Sequence, residues 1–364
     1  MKIVLATNYS LPSIGGCEMI VHQIAKRMVK DFSHECLVLS FSAKNQVIDG
    51  VKYEKISNMT DLLSKIYKFK ANHLFIYSDE FKLLENVFDC IRYKIHCSVS
   101  LATVGMKQMF RSNKILNKFL NKKDLIGTIV HSKKYYDYEK LKLHQVNPVV
   151  IPNAVDLDEF DNNKEVFNRP DCKYFIICVA NFFPGKGQEF LPTIQAYIPK
   201  ISQDIKIGVF HTTPVNGNVK MYEESTLQKI KSKYVLSYAN TPRDQLISAY
   251  HEADLCVFPT QKEVSPVVFL EAMAAKKPWV ALPVGNVPEL KGGAIVSDYK
   301  KNNEGYFVYT KNTHKMFADY IYTLLTDKKV YKKMSEEGRD HVVKHHNWSI
   351  VAKKYNDFFV GEFK

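Results

Sequence analysis

Two glutamates with seven residues between them, Glu263 and Glu271 in the run EVSPVVFLE, are the side chains of this sequence best placed to do chemistry. The run predicts a helix start between them. Ser265 is a good N-cap, and Pro266 suits the first helical position because an N–H there would lack a partner anyway. Glu271 then falls on that helix among Val267, Val268, Phe269, Leu270, Ala272 and Met273. It is expected to be buried, and a buried carboxylate needs hydrogen-bond donors. The helix start beside Glu263 offers free backbone N–H groups and a positive dipole end, which favour a phosphate. A phosphate, a polyol and two carboxylates together describe a nucleotide sugar. The same run also fits a capped core helix whose Glu271 pairs with a lysine or arginine.

A second charged position is Lys186, flanked by Gly185 and Gly187 in YFIICVANFFPGKGQEF. A buried-strand pattern leads into this loop and a helical stretch follows, so a cation there could reach a phosphate at a helix N-terminus. A surface loop is the competing reading. The opening of the chain repeats the arrangement. KIVLAT reads as a buried strand, LPSIGGCE as a loop, and Met19, Ile20, Ile24, Ala25 and Met28 as one helix face. Gly15 and Gly16 would let a phosphate or sugar approach the backbone, or serve a tight turn alone. Apolar runs alternate with helical or polar stretches through the rest of both halves, which is an α/β pattern.

The run from Pro259 to Leu290 resembles the Glu-x7-Glu signature of the family-4 retaining glycosyltransferases of GT-B fold, together with Pro278, the strand WVAL and the Gly285 to Glu289 turn. The resemblance extends to Ile151, Pro152, Asn153, Val155, Asp156 and Phe160, which match an IPN-x-VD-x3-F run between that family's two domains, and to the closing helix HNWSIVAKKYNDFF. It implies an α/β protein of two Rossmann-like domains facing each other across a cleft. The expected division is residues 1–155 for the acceptor, 156–345 for the nucleotide-sugar donor, and 346–364 as a helix crossing back to the first domain. The implied activity is transfer of a hexose from a UDP- or GDP-sugar to a hydroxyl acceptor, with retention, in glycan or glycolipid assembly. By the same resemblance Glu263 contacts the donor sugar, Glu271 holds the ribose and Lys186 grips the pyrophosphate. Gly15 and Gly16 face the donor diphosphate, and Asn240 and Thr241 seat the base.

Three departures stand out. Pro266 occupies a position where relatives often have glycine, leaving Val267 and Val268 to offer N–H groups to the phosphate. Asn181 stands where the family has an arginine, and it can donate a hydrogen bond but no charge. The family's H-G pair reads Val104-Gly105 here, near the hydroxyls of Ser100 and Thr103, while His73, His96 and His211 are expected as strand-flanking or surface residues. The last two departures motivate an alternative, a catalytically silent GT-B-fold protein that binds glycans or a partner.

A chain of 364 residues with 46% apolar content fits two globular domains. Seven scattered cysteines without a C-x-x-C pair suit reduced thiols in the cytoplasm rather than disulfides or a zinc site. No D-x-D cluster accompanies the expected phosphate sites, so no metal is expected. Fifty-one Lys and Arg against 38 Asp and Glu leave +13. That excess suits a phosphorylated substrate, an anionic or lipid-linked glycan acceptor, or peripheral contact with a membrane. It gathers in KQMFRSNKILNKFLNKK, residues 107–123, which also fits a solvated helix with one core face. No zinc-finger or aromatic RNA motif accompanies the charge, so nucleic acid is not an expected partner.

Overall fold

The structure is a computed structural model and describes residues 1–12, 15–77, 95–100, 125–134, 136–143, 147–213 and 217–361. The basic run 107–123 and the Thr103–Gly105 positions lie outside the described residues. The chain divides into two compact units, Met1–Ala154 with Trp348–Lys364, and Val155–Asn347.

Unit 1 is built on an eight-stranded sheet in the order β3-β4-β2-β1-β5-β6-β7-β8. Its strands are β1 Lys2–Thr7, β2 Glu35–Ser40, β3 Gln46–Ile48, β4 Val51–Lys55, β5 His73–Tyr77, β6 His96–Ser100, β7 Leu125–Val130 and β8 Val149–Val150. Only the β3–β4 pair is antiparallel. Parallel strands are covered on both faces, which is why Ile3, Val4, Leu5 and Ala6 form an unbroken apolar run and are fully buried. The helix Gly16–Lys30 turns Ile20, Val21, Ile24, Ala25 and Met28 inward. The final helix, Trp348–Phe359, belongs to this unit and buries Trp348, Val351, Ala352, Tyr355, Phe358 and Phe359. Phe359 meets Phe75 edge-on with centroids 5.3 Å apart. Phe358 lies so close to Gly127 that a Cβ there would sit 3.0 Å from its ring.

Unit 2 carries a six-stranded, all-parallel sheet in the order β11-β10-β9-β12-β13-β14. The strands are β9 Tyr174–Val179, β10 Ile205–His211, β11 Val235–Ala239, β12 Leu255–Phe258, β13 Trp279–Ala281 and β14 Gly293–Ile295. The chain winds from β9 outward to β11, then returns to the other side of β9 as β12. The loops after β9 and β12 therefore leave the sheet in opposite directions, and such a switch point opens a crevice at the carboxyl ends of the strands. Lys186 follows β9 and Glu263 follows β12.

The charged stretch after Pro152 reads as a linker but is anchored. Asp156 caps the short helix Leu157–Asp161, and Phe160 and Phe167 join the unit 2 core. Asn163 Nδ2 donates to Asp244 O at 2.8 Å, the Phe167 N–H to Ser248 Oγ at 2.8 Å, and Arg169 to Asp254 at 2.7 Å. Two aromatic anchors and these bonds outweigh its polar composition.

Phe359→Ala should cost unit 1 about 3–5 kcal/mol, the usual loss for a buried phenylalanine. The chain has two tryptophans. In a Trp279→Phe background Trp348 alone reports unit 1, and its urea transition should move to lower concentration.

Candidate donor site at the switch point of unit 2

The loop after β9 is shaped by glycines and closed by its own polar groups. Gly185 and Gly187 have φ of +89° and +78°, and the Lys186 N–H donates to Phe183 O at 3.0 Å. Gln188, fully buried, donates to Ala180 O at 2.9 Å and to Asn181 O at 3.2 Å. The loop is docked on the segment after β12. Gln261 N–H donates to Gly185 O at 2.7 Å, and a Cβ on Gly187 would lie 2.1 Å from Pro259 O. This backbone docking brings Lys186 Nζ onto Glu263 Oε1, with both side chains partly open to solvent.

Glu263 is braced from behind. Gly285, at φ +50°, packs so closely that a Cβ would lie 2.0 Å from Val264 O. Asn286 N–H donates to Val264 O at 2.9 Å, and Asn286 Nδ2 to Ser265 Oγ at 3.1 Å. The helix after Glu263 runs Val267–Ala274 with Pro266 as its N-cap and no side-chain cap. This corrects the expected start by one residue. The Ser265 hydroxyl is turned to Asn286, and Pro266 takes the extended N-cap conformation. The N–H groups of Val267 and Val268 therefore lie in the first turn without a side-chain acceptor, as a helix start must leave them unless something caps it. Phe269, between Phe258 at 4.4 Å and Trp279 at 5.0 Å, fixes this helix on β12 and β13. Arg339 donates to Ala274 O at its far end, 2.7 Å away.

Glu271 is buried, with both oxygens in use: Arg243 Nη1 donates to Oε1 at 2.5 Å and Tyr250 Oη to Oε2 at 2.9 Å. The pairing with an arginine, one of the two readings of the run, is thus present. It does not by itself exclude a ligand, because each carboxylate oxygen accepts more than one hydrogen bond. Sequence reasoning missed Arg243 and Tyr250. Arg243 opens the helix Arg243–Glu252, where the dipole disfavours a cation, and that misplacement was the available signal.

The remaining expected residues lie along the same strand ends. Asn181 Oδ1 accepts from the Thr212 N–H and hydroxyl, both at 2.9 Å, which leaves its Nδ2 as the group that could meet a ligand. Asn240, at φ +54°, accepts from Thr213 N–H and donates to Thr213 Oγ1, each at 2.9 Å. Its side chain is thus spent on bracing, and only backbone there and at half-exposed Thr241 remains for a base. These contacts close a ring: Lys186 loop to Asn181, Thr212 and Thr213 to Asn240, then Arg243 to Glu271, whose helix returns to Glu263 and Lys186.

His211, at the end of β10, is buried rather than superficial. Its Nε2 lies 2.8 Å from Ser237 Oγ and its Nδ1 2.9 Å from Glu223 Oε1, the latter without hydrogen-bond alignment. Burial lowers its pKa. His73, fully buried within β5, is likewise no surface residue, and its ring meets Ser98 Oγ at 2.6 Å.

Gly15 and Gly16 lie in unit 1. Gly15 is the N-cap of its helix in ordinary extended conformation, and the Glu18 carboxylate sits where a Gly15 Cβ would be, 2.4 Å from Oε2. Burial raises the Glu18 pKa. The space around Gly16 is open.

The family described as glycosyl transferases group 1 matches residues 159–341, the stretch that holds every element of the ring. The chain belongs to this family. It is a glycosyltransferase enzyme that uses nucleotide sugars, and its two parallel α/β sheets are those of the GT-B fold. An uncharacterized glycosyltransferase of Methanocaldococcus jannaschii is 23% identical over 358 residues, covering 93% of each chain. A GDP-mannose-dependent alpha-(1-6)-phosphatidylinositol monomannoside mannosyltransferase of Mycobacterium tuberculosis is 26% identical over 199 residues, 51% of this chain and 47% of the relative. Among solved structures, Anabaena HepE in complex with UDP-glucose matches with a TM-score of 0.74 at 15% identity, covering 99% of each chain. Among the described residues, no helix of this glycosyltransferase is long and apolar enough to cross a membrane.

Gly285→Ala should destabilise unit 2 by about 1–3 kcal/mol, because it combines a left-handed backbone position with a clash on Val264 O. Its thermal midpoint should fall, whereas Gly305→Ala, with φ of +82° but open space around it, should show the smaller, purely conformational loss.

Proposed function

We propose that the ring in unit 2 binds the nucleoside diphosphate of a UDP- or GDP-sugar, and that the enzyme moves the hexose to a hydroxyl acceptor with retention of configuration. The observation that carries this reading is the meeting of Lys186 with Glu263 beside an uncapped helix start at the sheet's switch point. Lys186 and the N–H groups of Val267 and Val268 supply positive charge and donors for a diphosphate. As the glycosidic bond breaks, negative charge grows on the departing diphosphate, and preorganised donors aimed there lower the barrier. Glu263 exchanges its contact with Lys186 for donor-sugar hydroxyls, Glu271 holds the ribose, and Asn240 and Thr241 offer backbone to the base. Asn181 Nδ2 adds a neutral donor. The GDP-mannose dependence of the mycobacterial relative and the UDP-glucose in the HepE complex support a nucleotide-sugar donor of one of these two kinds.

The acceptor side is read from charge. Unit 1 holds 26 Lys and Arg against 15 Asp and Glu, a net +11, whereas unit 2 holds 25 against 23, a net +2. Nearly all of the excess therefore belongs to the unit assigned to the acceptor, which favours an anionic or lipid-linked glycan and peripheral contact with an anionic membrane surface. The phosphatidylinositol mannoside named for the mycobacterial relative is an acceptor of that chemistry. Glycan or glycolipid assembly at the cytoplasmic face is the matching setting. The internal satisfaction of Glu271 favours, as a second reading, a silent binding protein, which any donor-dependent transfer to an acceptor would exclude.

Lys186→Ala should lower turnover more than donor affinity, by about 3 kcal/mol in the barrier, as for loss of an oxyanion donor. Transfer kinetics with saturating donor check this, and unchanged turnover removes Lys186 from the mechanism. The two carboxylates should differ in kind. Glu263→Gln should reduce transfer while leaving nucleoside diphosphate binding nearly intact. Glu271→Gln should weaken the nucleotide itself by about 1.5–3 kcal/mol. Equal effects on nucleotide binding would make the pair a structural feature of a core helix.

A further inference from the structure

Glu271 is held from both sides by residues that the donor reading does not use. Arg243 reaches it from the first turn of its helix while also donating to Glu159 Oε2, through Nε at 3.1 Å and Nη2 at 2.9 Å. The Phe160 ring lies beneath the guanidinium, with 5.6 Å from its carbon to the centroid. The helix dipole works against a cation at this position, so the two carboxylates and the ring must fix it there. Burial opposes the charge, yet Glu271 and Glu159 more than offset that and raise the guanidinium pKa further. Tyr250, fully buried, has its pKa raised far above the usual range, first by burial and then by Glu271, so its hydroxyl remains a donor.

Each oxygen of Glu271 therefore accepts one protein hydrogen bond, from the two ends of the helix Arg243–Glu252. An ionised carboxylate has about four acceptor sites, so each oxygen retains one. A vicinal diol presents two hydroxyl donors at matching separation, and the ribose of a nucleotide carries one. Pinning both oxygens also prevents the carboxylate from rotating, which makes the pairing directional.

We infer that Arg243 and Tyr250 are positioning residues that fix the Glu271 carboxylate to receive both ribose hydroxyls of the donor nucleotide. This rests on the assignment of Glu271 to the ribose. It also connects two distant sequence runs, since Glu159 of the segment after Pro152 reaches Glu271 through Arg243, and Phe160 packs on both Arg243 and Tyr250.

The test compares binding of UDP with 2′,3′-dideoxyuridine diphosphate, or the guanosine pair if GDP is the tighter ligand, by calorimetry on the full chain. Wild type should prefer the ribonucleotide by tenfold or more, about the value of one charge-assisted hydrogen bond. Tyr250→Phe, which removes one oxygen and keeps the ring, should cut that preference severalfold without changing dideoxynucleotide affinity. Arg243→Gln should do the same. If Arg243→Gln fails to fold, Tyr250→Phe decides. Equal loss for both nucleotides, or an undiminished preference, overturns the positioning role. A wild type that binds both nucleotides equally overturns the ribose assignment itself, and Glu271→Gln should then be silent in the comparison.

Discussion

A carboxylate on the apolar face of a core helix has to be satisfied, and much of unit 2 is arranged around that requirement at Glu271. Leaving it unpaired would cost several kcal/mol, and breaking a buried pair by removing one partner typically costs about 3–5 kcal/mol. Arg243 and Tyr250 meet the requirement, but they do so from a helix whose start directly follows Asn240 and Thr241. Satisfying Glu271 therefore also fixes the turn after β11. Because Arg243 is shared with Glu159, the same pairing holds down the segment that enters unit 2. One electrostatic demand thus orders three elements that are far apart in sequence.

At the other end of the helix the controlling forces are steric and backbone-mediated. Gly187 against Pro259 O and Gly285 against Val264 O are approaches that no side chain could share. They bring the loops after β9 and β12 together, so that Lys186 and Glu263 meet across the switch point. An ion pair partly open to solvent contributes little to stability. In the proposed donor reading, such a pair can exchange its partner for a ligand that carries both phosphate and hydroxyl groups.

The central sheet strands were legible from their apolar runs, because parallel strands covered on both faces need no polar alternation, whereas β3, β4 and β14 carry no such run. The glutamate spacing and the glycine-flanked lysine stand out in the sequence, and the structure brings Lys186 to Glu263 across 77 positions. Arg243 was hard to read, because its partners lie 28 and 84 residues away and its place at a helix start, where a cation is disfavoured, was the one local signal. The commitment of Asn240 to Thr213 and of Ser265 to Asn286 was hidden for the same reason: each competes with a local role that residue type alone favours. Composition misled at residues 157–169, where two buried phenylalanines outweigh a charged surrounding. His131 of unit 1 is buried, its ring is tied to Ile151 O at 2.8 Å, and burial pushes its pKa down to about 4.

The central claim, that the ring of contacts in unit 2 is a nucleoside diphosphate site, is tested most directly by titrating the wild-type chain with UDP, GDP, ADP and inorganic pyrophosphate in a calorimeter. The account predicts saturable one-site binding of UDP or GDP, with pyrophosphate markedly weaker because it lacks the ribose and base. Absence of binding by every nucleoside diphosphate, or pyrophosphate binding as tightly as the best of them, would contradict it.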